Sequence, residues 1–335
     1  MAAELFDALV VEEEAPGTFT RQIKKRSIDE LPPGELLVRV RSSSLNYKDA
    51  LSALGRPGVT KNYPHTPGID AAGEVVSCAD GAFREGEKVI VTGYDLGMNT
   101  PGGYGQYIRV PSAWGVRLPE ALSLKESMAL GTAGLTAGLS LQKLVQAGVR
   151  PEHGEILVTG ATGGVGSVAV AILSQAGYQV VAVTGKIEET EYLTGLGARQ
   201  VLSREAFLQN SDRPLLKERW AGVIDVVGGP MLAAAIKSAS YGGVVTCCGL
   251  AGSAELPLNV FPFILRGVSL LGVDSAQCPS AARNEVWQLL ASDWKPQRIL
   301  AQAQEVPLAE LEERFHAMLK GESRGRTVVN LDPGQ

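Results

Sequence analysis

The chain has 335 residues, 45% hydrophobic and 20% charged, which is enough for two domains with their own cores and is the profile of an ordinary globular protein. A net charge of −5, with no basic run interleaved with aromatics, excludes a nucleic-acid partner. No apolar run nears the roughly 20 residues that span a bilayer. Acidic residues fill "MAAELFDALVVEEE" where an export signal would be basic, so the chain is expected in the cytoplasm with no membrane partner.

In chain order, the first ~125 residues read as short strands separated by Gly and Pro turns. The strands are "ELLVRVRSSSL" (35–45), "AAGEVVSC" (71–78), "EKVIVTG" (87–93) and "YGQYIRVP" (104–111). They predict a small, partly barrel-like β domain. From about residue 126 the pattern changes. "ESMALGTAGLTAGLSLQKLVQAG" reads as a helix, and apolar strands then alternate with helical stretches. The strands are 155–160, 179–185, 221–228, 242–249 and 269–274. Near-continuous apolar runs mark strands buried on both faces of a parallel sheet, so a doubly wound α/β domain is expected. The tail "GRTVVNL" (325–331) returns to strand character.

The most informative stretch is "EILVTGATGGVGSVAVAIL" (155–173). An apolar strand leads into Gly160, Gly163, Gly164 and Gly166, and a helix follows. Gly163 allows a pyrophosphate to approach the backbone, Gly166 allows helix and strand to pack closely, and the helix N-terminus favours phosphate. At the end of the next strand an acidic residue would bind the ribose diol of NAD. Thr184, Gly185 and Lys186 occupy that corner instead, with Arg204 downstream. A hydroxyl, a backbone N–H and two cations suit a 2′-phosphate, so NADPH is the expected cofactor. Glu188 and Glu189 read as helix N-terminal charges.

None of the cysteines (Cys78, Cys247, Cys248 and Cys278) forms a C-x-x-C pair, so a zinc knuckle is excluded and a disulfide framework is not expected. His65, His153 and His316 are far apart in sequence and read as structural or surface residues. Metal ligands are expected at no position.

A β-rich first domain, a glycine-loop α/β domain and a short β return together resemble the medium-chain dehydrogenase/reductase superfamily over essentially the whole chain. Zinc alcohol dehydrogenases of that superfamily carry a cysteine and a histidine where this chain has Asn46, in "NYKD", and Ile69, in "GID". Zinc prefers thiolate, imidazole or carboxylate in a tetrahedral set, so these segments read as zinc-less. "SSLNYKDAL", "PGIDAAG", "GTAGLTA", "GVRPEHGEILVTGATGGVGS", "NVFPFILRGVSLLGVDS" and "GRTVVNL" are similar to a zinc-free branch of quinone oxidoreductases and NADPH-dependent acrylyl-CoA reductases.

The resemblance implies a GroES-like, partly open β-barrel domain over 1–126 and 299–335. It implies a Rossmann domain with a doubly wound parallel sheet over 127–298. It also implies cofactor contacts at Tyr47, Thr162, Gly163, Gly164, Val165, Gly166, Thr184, Gly185, Lys186, Arg204, Leu250, Ile264, Ser275 and Arg326. The expected reaction is reduction of the C=C bond of a short α,β-unsaturated acyl-CoA, acrylyl-CoA to propionyl-CoA, without zinc. The rivals are a quinone or other enone reductase, and an NADPH-binding protein without turnover. A short-chain dehydrogenase is excluded, because the nucleotide loop lies mid-chain and Tyr47 and Lys48 precede it.

Without a metal, hydrogen-bond donors must polarise the thioester. The candidates are the Asn46 amide, the Tyr47 hydroxyl and backbone N–H groups, with Tyr47 also a candidate proton donor. Asn46 could equally cap a turn. Asp49, Asp70 and Tyr63 read as structural, and "GTAGLTAG" (131–138) suits either a closely approaching nicotinamide or helix packing. Arg56, Lys61 and Arg266 are candidates to meet the phosphates of CoA. A homodimer is expected by analogy.

Overall fold

The computed structural model describes residues 4–332. The first three and last three residues of the expected GroES-like ranges lie outside the described residues. Two compact units divide the chain: Met1–Thr132, Ala276–Asn284 and Gln302–Gln335 form one, and Ala133–Ser275 with Glu285–Ala301 form the other. The first division thus falls at 132/133 rather than 126/127, and a short segment, 276–284, returns to the first unit ahead of the expected residue 299.

The first unit opens with a hairpin, β1 (Leu5–Ala15) and β2 (Thr18–Ser27). The mixed polarity of β2 hid this hairpin from the sequence reading. Next come β3 (Leu36–Ser44), α1 (Tyr47–Ala53), β4 (Asp70–Cys78), β5 (Lys88–Thr92), β6 (Tyr107–Val110) and β7 (Gly115–Arg117). β3 is central to a seven-stranded sheet. It pairs antiparallel with β4, with β6 and with the late strand Thr327–Asn330. The "GRTVVNL" tail therefore does rejoin the first unit, as its composition predicts. Val38, Val40, Leu45, Ala50, Ile108 and Val329 share one core, which fixes the β3–α1 corner from both sides.

The helix α2 (Leu124–Gln146) is broken at Gly131, where the backbone is non-helical (φ 53°, ψ −151°). The second unit then alternates strand and helix. Its elements run β8 (Glu155–Val158), α3 (Gly164–Gln175), β9 (Gln179–Thr184), α4 (Thr190–Leu196), β10 (Ala198–Ser203), α5 (Arg204–Leu208), β11 (Trp220–Asp225), α6 (Gly229–Lys237), β12 (Ala239–Cys247), α7 (Phe261–Arg266) and β13 (Ser269–Gly272). The strands lie parallel in the order β10-β9-β8-β11-β12-β13. This is the doubly wound arrangement, with order reversing beside β8, where ligands bind at the carboxyl ends of strands. Central strands are buried throughout, as in "ILV" of β8 and "VVAVT" of β9, whereas the edge strand β13 is half exposed. That difference is why the inner strands read as solid apolar runs.

Candidate active site

The head of α1 is built on a buried polar cluster. β3 ends at Ser44, and Asn46 turns the chain into α1 with extended backbone, φ −128° and ψ 162°. Asp49, on the first turn, accepts the Asn46 backbone N–H at 2.8 Å with Oδ2 and the Ile69 N–H at 2.8 Å with Oδ1. One carboxylate thus caps the helix and ties it to the strand that begins at Asp70. Asp49 is fully buried. Burial, and then the charge of Asp70, push its carboxyl up to about 7, against the opposing effect of the N–H groups it accepts.

Asp70, also fully buried, is the hub. Its Oδ2 accepts from Ser44 Oγ at 2.5 Å, Asn46 Nδ2 at 2.8 Å and the Thr132 N–H at 2.9 Å, and its Oδ1 accepts from Thr132 Oγ1 at 2.6 Å. Gly131 lets α2 come this close, since a Cβ there would lie 2.4 Å from Asp70 Oδ2, and its φ of +53° disfavours any side chain. The "GT" of "GTAGLTAG" therefore seals this carboxylate, a use the sequence reading missed. Arg326 completes the cluster, donating to the Ala129 carbonyl at 2.9 Å, the Leu45 carbonyl at 3.3 Å and Asn46 Oδ1 at 3.2 Å. Tyr104 donates to the Ser44 carbonyl at 3.1 Å, and burial raises its hydroxyl well above the usual range.

Asn46 is thus engaged at both ends. Its Nδ2 donates to Asp70, to Ser44 Oγ at 3.0 Å and to Asp49 Oδ2 at 3.3 Å. Both amide hydrogens point into the cluster, in contrast to the expected donor role toward substrate. Tyr47 is the opposite case. It is the first residue of α1, 57% exposed, and its hydroxyl has no partner among the described residues. Tyr63 donates to the Ser52 carbonyl at 2.8 Å, in keeping with a structural role.

The cluster does not fit zinc. At the two positions where the zinc enzymes have cysteine and histidine, this chain has an amide that is donating its hydrogens and the apolar Ile69. Asp70 already accepts from four donors. Among the described residues, no group of three or more His, Cys, Asp or Glu side chains could hold a metal ion.

In the second unit, Gly160 takes a positive φ of 58° after β8. A Cβ on Gly166 would lie 2.3 Å from the Gly160 carbonyl oxygen, so α3 packs against the turn as the motif requires. Gly163 caps α3 with no side chain, and the first turn of α3 has no acidic residue, which leaves that N-terminus suited to an anion. Thr162 and Thr184 share a hydroxyl hydrogen bond of 3.0 Å, and Thr184 Oγ1 accepts the Lys186 N–H at 3.0 Å. Register supplies the second cation: Ser203 of β10 pairs with Thr184 of β9, so Arg204 follows directly beside the corner. A Cβ on Gly185 would lie 2.5 Å from Arg204 Nη2. Asp225, at the end of β11, accepts from Thr159 Oγ1 at 2.6 Å and the Gly228 N–H at 2.8 Å, and burial raises its carboxyl.

The structure therefore brings Thr162, Thr184, Gly185, Lys186 and Arg204 together at the ends of adjacent strands. Val165 and Gly164 lie on the first turn of α3. Leu250, on the loop after β12, and Ile264, on α7, are 69% and 72% exposed. Ser275 Oγ accepts from Thr136 Oγ1 at 2.7 Å. Arg326 is buried in the Asn46 cluster.

Comparison with known proteins agrees with this geometry. Residues 32–120 match the alcohol dehydrogenase GroES-like domain, and residues 164–292 match the zinc-binding dehydrogenase model. A protein of Ruegeria pomeroyi named acrylyl-CoA reductase AcuI is 45% identical over 98% of this chain and 100% of its own. The chain belongs to the medium-chain dehydrogenase/reductase family. It is therefore an oxidoreductase with a GroES-like unit and a Rossmann unit. A Bacillus subtilis relative named "Putative quinone oxidoreductase YhfP" is 46% identical over 98% of this chain and 99% of its own. The crystal structure of B. subtilis yhfP with NAD bound superposes with a TM-score of 0.95, covering 98% of this chain and 100% of that one. The yhdH oxidoreductase from Salmonella enterica, in complex with NADP, gives a TM-score of 0.94 at 44% identity, covering 97% of this chain and 100% of that one. Among the described residues, no helix is long and apolar enough to cross a membrane.

Proposed function

We propose that this family member reduces the C=C bond of a short α,β-unsaturated acyl-CoA, acrylyl-CoA to propionyl-CoA, with NADPH and without zinc. The observation that carries the reading is the division of labour at α1: Asn46 is locked by two carboxylates and Arg326, while the neighbouring Tyr47 hydroxyl is left exposed and unbonded. The AcuI relative supports the choice of substrate. The GroES-like role is assigned to the unit of Met1–Thr132, Ala276–Asn284 and Gln302–Gln335, and cofactor binding to the unit of Ala133–Ser275 and Glu285–Ala301. The chain is placed in the cytoplasm as a homodimer, a state supported by the open edge of β13.

Lys186, Arg204 and Thr184 would hold the 2′-phosphate of NADPH, and the loop Thr162–Gly166 its pyrophosphate. Tyr47, Leu250, Ile264, Ser275 and Arg326 complete the proposed set. When bound, NADPH supplies a hydride for the β-carbon of the substrate. Charge then gathers on the thioester oxygen, and the Tyr47 hydroxyl is the donor offered to it. One such donor contributes about 3–4 kcal/mol in a dry site, a condition Tyr47 meets only once substrate covers it. Tyr47 would also pass a proton to the α-carbon, directly or through water. Asn46 serves the reaction by fixing the backbone from which Tyr47 projects. Proteins of this fold differ in substrate through their sites rather than their architecture, and the quinone-oxidoreductase name of the B. subtilis relative favours quinone reduction as the second reading.

The test is NADPH oxidation by chelator-treated protein with acrylyl-CoA, crotonyl-CoA and a 1,4-quinone at equal concentrations. Preference for acrylyl-CoA is expected. Turnover with quinone alone would replace the thioester reading, and tight NADPH binding without turnover on any of the three would favour a binding protein.

A further inference from the structure

Most cations of the first unit are engaged. Arg21, Lys24, Lys25 and Arg41 each pair with a carboxylate. Lys48, Arg56 and Lys61 are among the exceptions, with Arg39, Arg84 and Lys88: all are exposed, and none of their side chains has a carboxylate or carbonyl partner among the described residues, but only these three lie on the one stretch that carries Tyr47. The only acidic residue between positions 45 and 69 is Asp49, which is 0% exposed. That stretch therefore shows solvent only positive charge, on a chain whose net charge is −5. Glu13, whose charge is felt at Tyr63, pairs with none of the three.

The cations sit on a held frame rather than a loose loop. Ser52 Oγ of α1 and Thr60 Oγ1 are 2.6 Å apart, and Tyr63 donates to the Ser52 carbonyl. The Arg56 N–H is bonded to the Leu51 carbonyl at 2.8 Å, and the Lys61 N–H to Asn99 Oδ1 at 3.3 Å. The loop 55–63 is thereby folded back on the helix whose first residue is Tyr47. Arg266, the third cation the sequence suggested, is committed elsewhere: it donates to the Lys237, Ala239 and Leu216 carbonyls and pairs with Glu218.

An unpaired positive surface on the segment that carries Tyr47 calls for an anionic ligand. The 2′-phosphate of NADPH has its own cations, Lys186 and Arg204, in the second unit. An acyl-CoA brings a pyrophosphate and a 3′-phosphate at the far end of a long arm from its thioester. Resting on the thioester reading above, we propose that Lys48, Arg56 and Lys61 are the docking site for the phosphates of the CoA substrate.

The experiment compares acrylyl-CoA with acrylyl-pantetheine, the same thioester without the nucleotide phosphates, at low and high salt. It uses the wild-type protein, the triple variant K48Q/R56Q/K61Q and a control, K88Q. The wild type is expected to prefer the CoA thioester in kcat/KM, and salt should erode that preference. In the triple variant the preference should fall about tenfold, the effect of a few exposed ion pairs, through KM for acrylyl-CoA. K88Q should keep it. An undiminished preference in a triple variant that melts like the wild type overturns the assignment. Equal use of both thioesters by the wild type at low salt also overturns it, while leaving the thioester reading intact. Turnover of neither thioester overturns the thioester reading, and the docking site with it.

Discussion

Tyr47 and Asn46 are neighbours in sequence with opposite surroundings, and that contrast decides which of them can meet a substrate. Asn46 spends its amide on Asp70, Asp49, Ser44 and Arg326, whereas the Tyr47 hydroxyl has no partner among the described residues. Tyr47→Phe should therefore lower kcat for acrylyl-CoA by about 10²-fold, the usual share of a positioned donor, with the circular dichroism and melting temperature of the wild type. Unchanged kcat would remove Tyr47 from the chemistry. At the cofactor corner, Lys186→Glu places a carboxylate where a diol could be accepted and a phosphate is repelled. It should weaken NADPH far more than NADH, by about tenfold or more in relative Kd, and equal loss of both would refute the 2′-phosphate assignment. The corner of Thr184, Gly185 and Lys186 could be located in the sequence because it ends the strand that follows the glycine loop, and Tyr47 because it lies in "NYKD". The hub Asp70 was not legible there. Its partners Ser44 and Thr132 are 26 and 62 residues away, and only folding brings them together.

The element that matters most is α1, and it is too short for periodicity to reveal: Tyr47–Ala53 is 7 residues. Its hold on the fold comes from Asp49, through the N–H groups of Asn46 and Ile69. The Asp49 carboxyl, ordinarily near 3.8, is pushed up to about 7 by burial and by Asp70. The folded state thus keeps a proton that the unfolded chain releases near pH 4. Between about pH 4 and about pH 7 unfolding releases that proton, so this group's contribution to stability falls as pH rises, by at most about 1.4 kcal/mol per unit. Above pH 7 the contribution is flat. Urea unfolding of the wild type and Asp49→Asn at pH 5, 6 and 7 measures the difference. The stability of the wild type relative to the variant should decline across that window, and a rise would mean that the hydrogen bonds to Asp49 outweigh its burial. The parallel strands of the second unit, by contrast, were legible, because burial on both faces leaves a solid apolar run. The hairpin β1–β2 was missed because β2 faces solvent along most of its length.

At the scale of the whole molecule, the metal-binding side chains of the described residues are scattered rather than gathered. Cys78 ends β4, Cys247 ends β12 with Cys248 directly after it, and Cys278 lies in the segment 276–284; none of them is in a disulfide. The Cys248 thiol is pushed up to about 12 by burial and by the charge of Asp225, so it is not the thiolate that zinc requires. Burial lowers the pKa of His65 from its ordinary value, and His316 lies on the solvent side of the helix Leu311–Leu319, beside Glu312. In the sequence the same residues are far apart and form no C-x-x-C pair. What the sequence could not predict was the carboxylate–amide–guanidinium cluster around Asn46, in which Asp49, Asp70 and Arg326 bond to the same amide. Dialysis against a strong chelator should leave both the melting temperature and kcat with acrylyl-CoA unchanged, and elemental analysis of the purified protein should find zinc far below one atom per chain. Loss of activity on chelation, restored by zinc, would mean that Asn46 and Asp70 turn outward to bind metal, and the hydrogen-bond account of Tyr47 would then fall.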